Sequence, residues 1–157
     1  MSDTNATNDG KVKRLYNTLR QQIEEEEYED ALPVCEKILK LNPEDTKALK
    51  CKLVCMIHEN QIEAACQFAG KIREKVSCEF ELAYTYYRLN QLDKAFEVME
   101  SVDKKNTAMK QLYGQVLYRM ENFSGAANIY EEVINDNNDY EEYEVEKVEL
   151  CTNLSAS

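Results

Sequence analysis

A small side chain recurs at nearly constant spacing along this chain, at Ala31, Ala65, Ala95 and Ala126. Successive copies are separated by 34, 30 and 31 residues, and each stands three residues after a bulky side chain: Tyr28, Ile62, Leu92 and Phe123. Two antiparallel helices can cross closely only where one of them presents a small side chain, and the bulky residue fills the space beside it. The spacing therefore predicts a row of similar helical hairpins.

Other residues indicate where the helices meet and end. Gly114 lies twelve residues before Ala126, where the two helices of a hairpin need a close contact. Pro43 follows Leu41 and Asn42, and proline ends a helix because it lacks an N–H group and clashes with the preceding turn. A period of about 34 residues is typical of tetratricopeptide repeats. We expect an all-α fold, a right-handed α-solenoid of tetratricopeptide-type helix hairpins.

The pattern predicts about nine helices. We expect them at about 11–25, 28–41, 44–58, 61–75, 77–89, 92–102, 107–120, 123–136 and 140–156. Residues 1–10 are polar and are predicted to be disordered, and residues 11–157 are expected to form one repeat domain. That domain has about four repeats plus the first helix of a fifth. Because nothing would cover the apolar side of that helix, we expect a piece of a longer protein.

Composition excludes several classes of protein. The formal net charge of −11 argues against nucleic acid as the main partner, because a phosphate backbone requires a basic surface. No apolar run approaches the roughly 18 residues of a membrane span, so no membrane insertion and a cytoplasmic location are expected. Period-two alternation is missing, which argues against a β-rich fold.

The cysteines and the single histidine are the residues that could carry chemistry. Cys51 and Cys55 stand four residues apart on a predicted helix, with His58 nearby and Cys66 on the next helix. Short CxxC pairs, the usual zinc-ligand spacing, are missing, so we interpret these cysteines as reduced, small apolar residues. A metal or thiol site at these positions remains the alternative. Nothing in the sequence supports an enzyme, and we expect no cofactor and no small-molecule substrate.

In a stacked array the first helix of each hairpin lines the concave surface. Its positions that point neither at the partner helix nor at the next repeat are expected to form a groove. Counted back from each alanine, these positions are Lys13, Tyr16, Arg20, Ile23, Lys47, Lys50, Val54, Ile57, His58, Phe80, Tyr84, Tyr87, Arg88, Gln111, Gln115, Tyr118 and Arg119.

This predicted groove is rich in aromatic and cationic residues although the protein as a whole is acidic. Tyrosine provides rigid contact area, and arginine can stack on a ring or bind a carboxylate through two parallel hydrogen bonds. The pattern favours binding of an extended or helical peptide. The alternative is that some of the tyrosines pack between repeats. The carboxylates collect at 24–27, 29–30 and 136–149, where they form a solvated face or a docking surface for a basic partner.

Tetratricopeptide domains that bind chaperones hold a terminal carboxylate with lysine, asparagine and arginine at set positions. The corresponding positions here hold Tyr16, Arg20, Cys51, Ser77 and Glu81. The Glu81 carboxylate would repel such a ligand. This class is therefore not expected.

Three segments carry a narrower resemblance, at 48–55, 81–90 and, most specifically, Leu112–Arg119, with Thr152–Ala156 following in the same order. With them the chain resembles, over residues 12–156, the N-terminal tetratricopeptide regions of the SRP72 family of signal recognition particle subunits. The resemblance implies a scaffold in co-translational targeting to the endoplasmic reticulum. The partner that it implies is a C-terminal segment of the signal recognition particle subunit SRP68, with which the family forms a heterodimer.

The resemblance also implies that contact with the particle RNA belongs to a lysine-rich region further downstream in the family. The residues that lie both in the shared segments and in the predicted groove are implied as peptide contacts: Tyr84, Tyr87, Arg88, Tyr118 and Arg119. Lys50, Val54, His58 and Gln115 are further expected contacts at groove positions. The alternative function is a generic tetratricopeptide adaptor that binds a peptide of another cytosolic assembly.

Overall fold

The computed structural model describes residues 2–136, with side chains from residue 7 onward. These residues form eight α-helices and no strand. The helices are α1 (Ser2–Glu24), α2 (Tyr28–Leu41), α3 (Thr46–His58), α4 (Ile62–Ile72), α5 (Glu79–Arg88), α6 (Leu92–Glu100), α7 (Thr107–Arg119) and α8 (Phe123–Asp136). The predicted all-α class is confirmed. The predicted ninth helix lies outside the described residues.

The described residues divide into two compact units, an N-terminal unit of residues 2–61 and a C-terminal unit of residues 62–136. The N-terminal unit contains α1, α2 and α3. The C-terminal unit contains α4 to α8. Each has its own apolar core, and each is described by itself below.

The N-terminal unit packs α1 and α3 against α2. Leu19 and Ile23 of α1 are fully buried, as are Ala31 and Ile38 of α2. These residues recur at spacings of four and seven, which place them on one face of each helix. Burying one such leucine or isoleucine side chain stabilises the fold by about 1.5–3 kcal/mol.

The C-terminal unit brings α7 and α8 together at a glycine. A Cβ atom added to Gly114 would lie 2.9 Å from Cε1 and Cζ of Tyr130, so the ring occupies the space that any side chain would need. Gly114 itself is buried, and Val116 and Leu112 on either side of it belong to the core. The close helix contact predicted at Gly114 is confirmed.

The four predicted alanines are all buried, three at 0% exposure and the fourth, Ala126, at 2%. Each lies in the first turn of the second helix of its repeat, because α2, α4, α6 and α8 begin three residues earlier. Tyr28 and Ile62, which begin α2 and α4, are buried as expected. Phe123, which begins α8, is 56% exposed and differs from the expectation.

The first helix of each repeat ends in the same turn. One residue there has a left-handed backbone, with φ of 61° at Glu26, 59° at Asn60, 59° at Asn90 and 64° at Glu121. The next N–H donates to a carbonyl five residues back, as from Gln91 to Tyr86 at 2.8 Å. Together these features define the Schellman motif, which satisfies carbonyls at the helix end.

Two helix boundaries differ from the sequence-based expectation by three residues or more. Helix α1 begins at Ser2, whereas residues 1–10 were predicted to be disordered. No proline interrupts this segment, and the single Gly10 lowers helix stability by only about 1 kcal/mol. Helix α4 ends at Ile72, three residues early, where a turn leads to the buried Val76. None of the described helices combines the length and the apolar composition that a bilayer crossing requires.

Candidate peptide-binding surface

Equivalent positions of two successive repeats place the predicted contact residues on α5 and α7. Tyr84, Tyr87 and Arg88 have the spacing i, i+3, i+4, and Gln115, Tyr118 and Arg119 repeat it 31 residues later. These spacings put each trio on one face of its helix. The opposite faces carry core residues: Leu82, Ala83 and Thr85 on α5, and Leu112, Val116 and Leu117 on α7. The core therefore fixes which way both trios point.

Arg119 joins the ends of α5 and α7. Its Nη2 donates to Oδ1 of Asn90 at 2.6 Å, and its Cζ lies 5.0 Å from the centroid of the Tyr87 ring. A guanidinium over an aromatic face is attracted by the negative charge density of the ring. The hydrogen bond and the ring contact together hold the guanidinium in one place, on a residue that is exposed to solvent.

Arg88 and two aromatic rings form a row along α5. Phe80 and Tyr84 are stacked with ring centroids 6.3 Å apart, and Arg88 Cζ lies 5.8 Å from the centroid of Tyr84. The Arg88 Nη1 also donates to the Tyr84 hydroxyl at 3.0 Å. The four-residue spacing of Phe80, Tyr84 and Arg88 aligns them on one side of the helix.

Tyr118 extends the aromatic surface toward α8. Its ring meets the ring of Phe123 edge to face, with centroids 5.1 Å apart, and it is itself 59% exposed. The Tyr130 ring lies against Gly114 of α7, the helix that also carries Tyr118. Burial raises the pKa of the Tyr130 phenol, and the neighbouring Tyr87 and Tyr118 raise it further. Large apolar side chains exposed together in this way are typical of binding sites.

We define the aromatic–arginine surface as Tyr84, Tyr87, Arg88, Tyr118 and Arg119. Its rings offer rigid apolar contact area and its two guanidinium groups offer hydrogen-bond donors. Such a combination suits a peptide that carries apolar and acidic side chains. Gln115 is exposed on the same helix α7, and its contact with a peptide stays a prediction.

The equivalent positions in the N-terminal unit differ from this pattern. Val54 is buried at 9% exposure within the core of α1, α2 and α3, so its predicted groove position was wrong. His58 lies against Tyr28, with ring centroids 4.0 Å apart and planes 5° from parallel, and thus joins α3 to α2. Lys50 is half-buried. The sequence could not show that α2 covers this side of α3.

Two further residues of α1 that were predicted to face the groove have structural roles. Ile23 is fully buried in the core. The Tyr16 hydroxyl donates to Oδ1 of Asp45 at 2.6 Å, and Asp45 in turn accepts from the Ala48 N–H to cap α3. Burial and this carboxylate raise the pKa of Tyr16.

Sequence reasoning missed Asn90, Phe123 and Tyr130 as members of the surface region. Asn90 holds Arg119 because the left-handed turn after α5 aims its side chain at α7. A signal was available: asparagine is the non-glycine residue that adopts this backbone most readily, and it recurs at Asn60. Phe123 and Tyr130 looked like ordinary packing positions.

The cysteines of the N-terminal unit lie in its core. Cys35, Cys51 and Cys55 are buried and reduced, and the pKa of Cys35 is raised by its hydrogen bond with Cys55 and by burial. A raised pKa keeps a thiol protonated and unreactive. No group of three or more metal-ligating side chains that could hold an ion occurs in the described part of the chain.

The first acidic run lies at the turn between α1 and α2. Residues 24–27 and 29–30 are exposed to solvent there, apart from the buried Tyr28 between them. Most of the second acidic run lies outside the described residues.

The repeated hairpins and the exposed aromatic–arginine surface together define a helical-repeat binding protein of the tetratricopeptide type. The model of the SRP TPR-like repeat family matches residues 31–148. The chain belongs to this family.

The curated relatives are subunits of one particle. The chain is 34% identical over 149 residues to signal recognition particle subunit SRP72 of Homo sapiens, covering 92% of this chain and 21% of that protein. The subunit SRP72 of Schistosoma mansoni is 32% identical over 147 residues, covering 93% of this chain and 20% of that protein. The chain therefore spans about one fifth of the length of these relatives.

Solved structures share the fold. MamA (residues 41 to the end) from Desulfovibrio magneticus RS-1 matches with a TM-score of 0.66 at 21% identity, over 79% of this chain and 74% of that one. A double mutant, MamA RS-1 ArsTM, also matches with a TM-score of 0.66, at 20% identity, over 82% of this chain and 78% of that one. These matches concern the fold alone.

Proposed function

We propose that this chain is a protein-interaction scaffold of the signal recognition particle and that its aromatic–arginine surface binds a C-terminal segment of the subunit SRP68. The heterodimer formed in this way would serve co-translational targeting to the endoplasmic reticulum. The proposal rests on membership of the SRP TPR-like family and on the similarity to subunits named SRP72.

The observation that carries the proposal is the exposure of Tyr118 and Phe123. Both side chains are large and aromatic, yet they are 59% and 56% exposed. Large aromatic side chains contribute most to an interface when a partner covers them. Beside them Arg119 is already held in place by Tyr87 and Asn90. The surface is therefore preformed, and binding does not have to order it.

The ligand is an extended or helical tail that orders as it binds. Ordering such a segment costs about 2–5 kcal/mol. An interface of ordinary size, about 800 Å² per partner, is large enough to offset that cost if it covers the exposed rings. Preformed side chains on α5 and α7 reduce the entropy that the protein itself loses.

The proposed role is one of binding without catalysis, in the cytoplasm. A formal net charge of −11 suits a subunit domain that reaches the particle RNA only indirectly. We assign direct RNA contact to regions of the family outside this chain.

Co-expression with the C-terminal tail of SRP68 tests the proposal. We expect the two chains to elute together in size-exclusion chromatography. Separate elution, with a tail of another cytosolic assembly captured instead, would favour a generic tetratricopeptide adaptor.

Calorimetry then tests the surface itself. Tyr87→Ala and Arg119→Ala should each weaken capture of the tail about tenfold or more, because each removes one side of a preformed contact. Arg73→Ala is the matched control, since Arg73 is exposed in the same unit but precedes α5 instead of ending α7. If both surface variants bind the tail at full strength and their helical content is unchanged, the tail does not bind at the aromatic–arginine surface.

A further inference from the structure

We infer that Arg119 recognises the side-chain carboxylate of an aspartate or glutamate inside the bound segment, and that the residue beside that acid is apolar and packs on Tyr118 and Phe123. The inference rests on the proposed function for the place of binding. It adds the chemistry that the partner must carry.

The contacts that hold Arg119 are electrically neutral. Within residues 2–136 its partners are the amide oxygen of Asn90 and the ring of Tyr87, and no carboxylate lies within ion-pair distance. The chain has 30 aspartates and glutamates against 19 lysines and arginines, so carboxylates are plentiful. Because these contacts do not neutralise the guanidinium, its positive charge can attract a carboxylate of the ligand.

The geometry of Arg119 leaves part of its guanidinium for a ligand. One terminal nitrogen of Arg119 is used by Asn90, and the face of the guanidinium is used by Tyr87. The remaining N–H groups lie in the plane of the guanidinium. A carboxylate binds in that plane through two parallel hydrogen bonds, which is the arrangement that arginine favours over lysine.

The open surface around Arg119 favours an acid inside the bound segment over one at its terminus. Arg119 is exposed and Tyr118 is 59% exposed, so nothing described on this side of α7 walls the surface off. A chain can pass the arginine in both directions. The edge-to-face pair of Tyr118 and Phe123 then offers apolar area to the neighbouring side chain.

A matched pair of substitutions at Asn90 tests the inference on the complete chain. Asn90→Asp places a carboxylate against Arg119 and should compete with the ligand, weakening capture of the SRP68 tail about tenfold. Asn90→Gly removes the amide but suits the left-handed backbone and should keep binding within about threefold. Equal affinity of the Asp and Gly variants would overturn the inference, even if the tail binds well.

Short probes test the chemistry independently of that tail. The side-chain Nε–H signal of Arg119 is followed by NMR during titration with acetyl-Leu-Glu-Leu-amide, with the Arg119→Lys variant used to assign the signal. We expect a shift with this peptide and none with acetyl-Leu-Gln-Leu-amide. No shift with the glutamate peptide, or the same shift with both, contradicts the inference.

A third probe, acetyl-Leu-Gln-Leu with a free carboxyl terminus, separates the two sources of carboxylate. A shift with this probe that exceeds the shift with the glutamate peptide would overturn the assignment to a side chain. If the glutamate peptide shifts Arg119 while the SRP68 tail does not bind, the proposed partner fails and the carboxylate site stands. If the tail binds the Arg119→Gln variant unchanged, the carboxylate site fails and the partner stands.

Discussion

The guanidinium of Arg119 lies over the ring of Tyr87, with 5.0 Å between Cζ and the ring centroid, so one contact links the last turn of α7 to the last turn of α5. The two residues belong to successive repeats. Their register follows from the 31-residue spacing between the repeats. The contact therefore depends on the alignment of the ends of α5 and α7.

Substitutions at Tyr87 distinguish the contribution of its ring to binding from the contribution of its hydroxyl. Tyr87→Phe retains an aromatic face beneath Arg119 and should bind the tail with an affinity close to that of the unmodified chain. Tyr87→Leu removes the attraction between ring and cation, worth about 0.5–1 kcal/mol at an exposed site, and should weaken binding about two- to fivefold. Calorimetry with both variants measures the difference. Equal loss in the two variants would assign the effect to the hydroxyl.

Glycine-to-alanine changes test the helix contact at Gly114. Alanine is favoured over glycine within a helix by about 1 kcal/mol, so Gly70→Ala, with nothing within 4 Å of the new Cβ, should stabilise the chain. At Gly114 the same change meets the Tyr130 ring at 2.9 Å, and we expect a net loss of about 1–2 kcal/mol. Urea unfolding measures both. A gain at Gly114 equal to the gain at Gly70 would show that the ring moves aside freely.

The left-handed turn before α8 provides a test of backbone strain. Glu121 has φ of 64°, a conformation that costs a residue with a Cβ roughly 1–2 kcal/mol. Glycine tolerates it but loses more entropy on folding, so Glu121→Gly should stabilise the chain by a net ~0.5–1 kcal/mol. Glu131→Gly, at an exposed position within α8, is the control and should destabilise by about 1 kcal/mol. Opposite signs in thermal unfolding are the expected outcome.

Alkaline pH should lower stability through Tyr113. Burial and its hydrogen bond to the Glu100 carboxylate raise the pKa of this phenol to about 12, from 10.0. Because the folded state holds the proton more tightly, this contribution is fully present below pH 10 and is lost as pH rises from about 10 to 12. Unfolding measured across this range should show a shallower fall for Tyr113→Phe. Identical pH profiles would contradict the assignment.

The sequence predicted the fold well because the repeat depends on local sterics. Ala126 and Gly114 lie where two helices approach closely, and α2 ends at Leu41, two residues before Pro43. These signals could be read without the structure. The start of α1 was harder, because the polar residues before Gly10 contain neither a helix breaker nor a periodic apolar face.

The candidate site was only partly predictable. Val54 and Tyr84 occupy equivalent positions of successive repeats, yet Val54 is buried and Tyr84 is half-exposed. Repeat register gives the direction of a side chain, whereas its exposure depends on the helices packed around it. Asn90 was missed for a related reason, because its role appears only when the turn after α5 meets the end of α7.

The most direct measurement is a map of backbone amide shifts in the labelled chain as the C-terminal tail of SRP68 is added. We expect the largest shifts at Tyr84, Tyr87, Arg88, Tyr118 and Arg119, with smaller ones on α6. Binding that shifts the acidic turn between α1 and α2 and leaves these five residues unchanged would contradict the proposed peptide-binding surface.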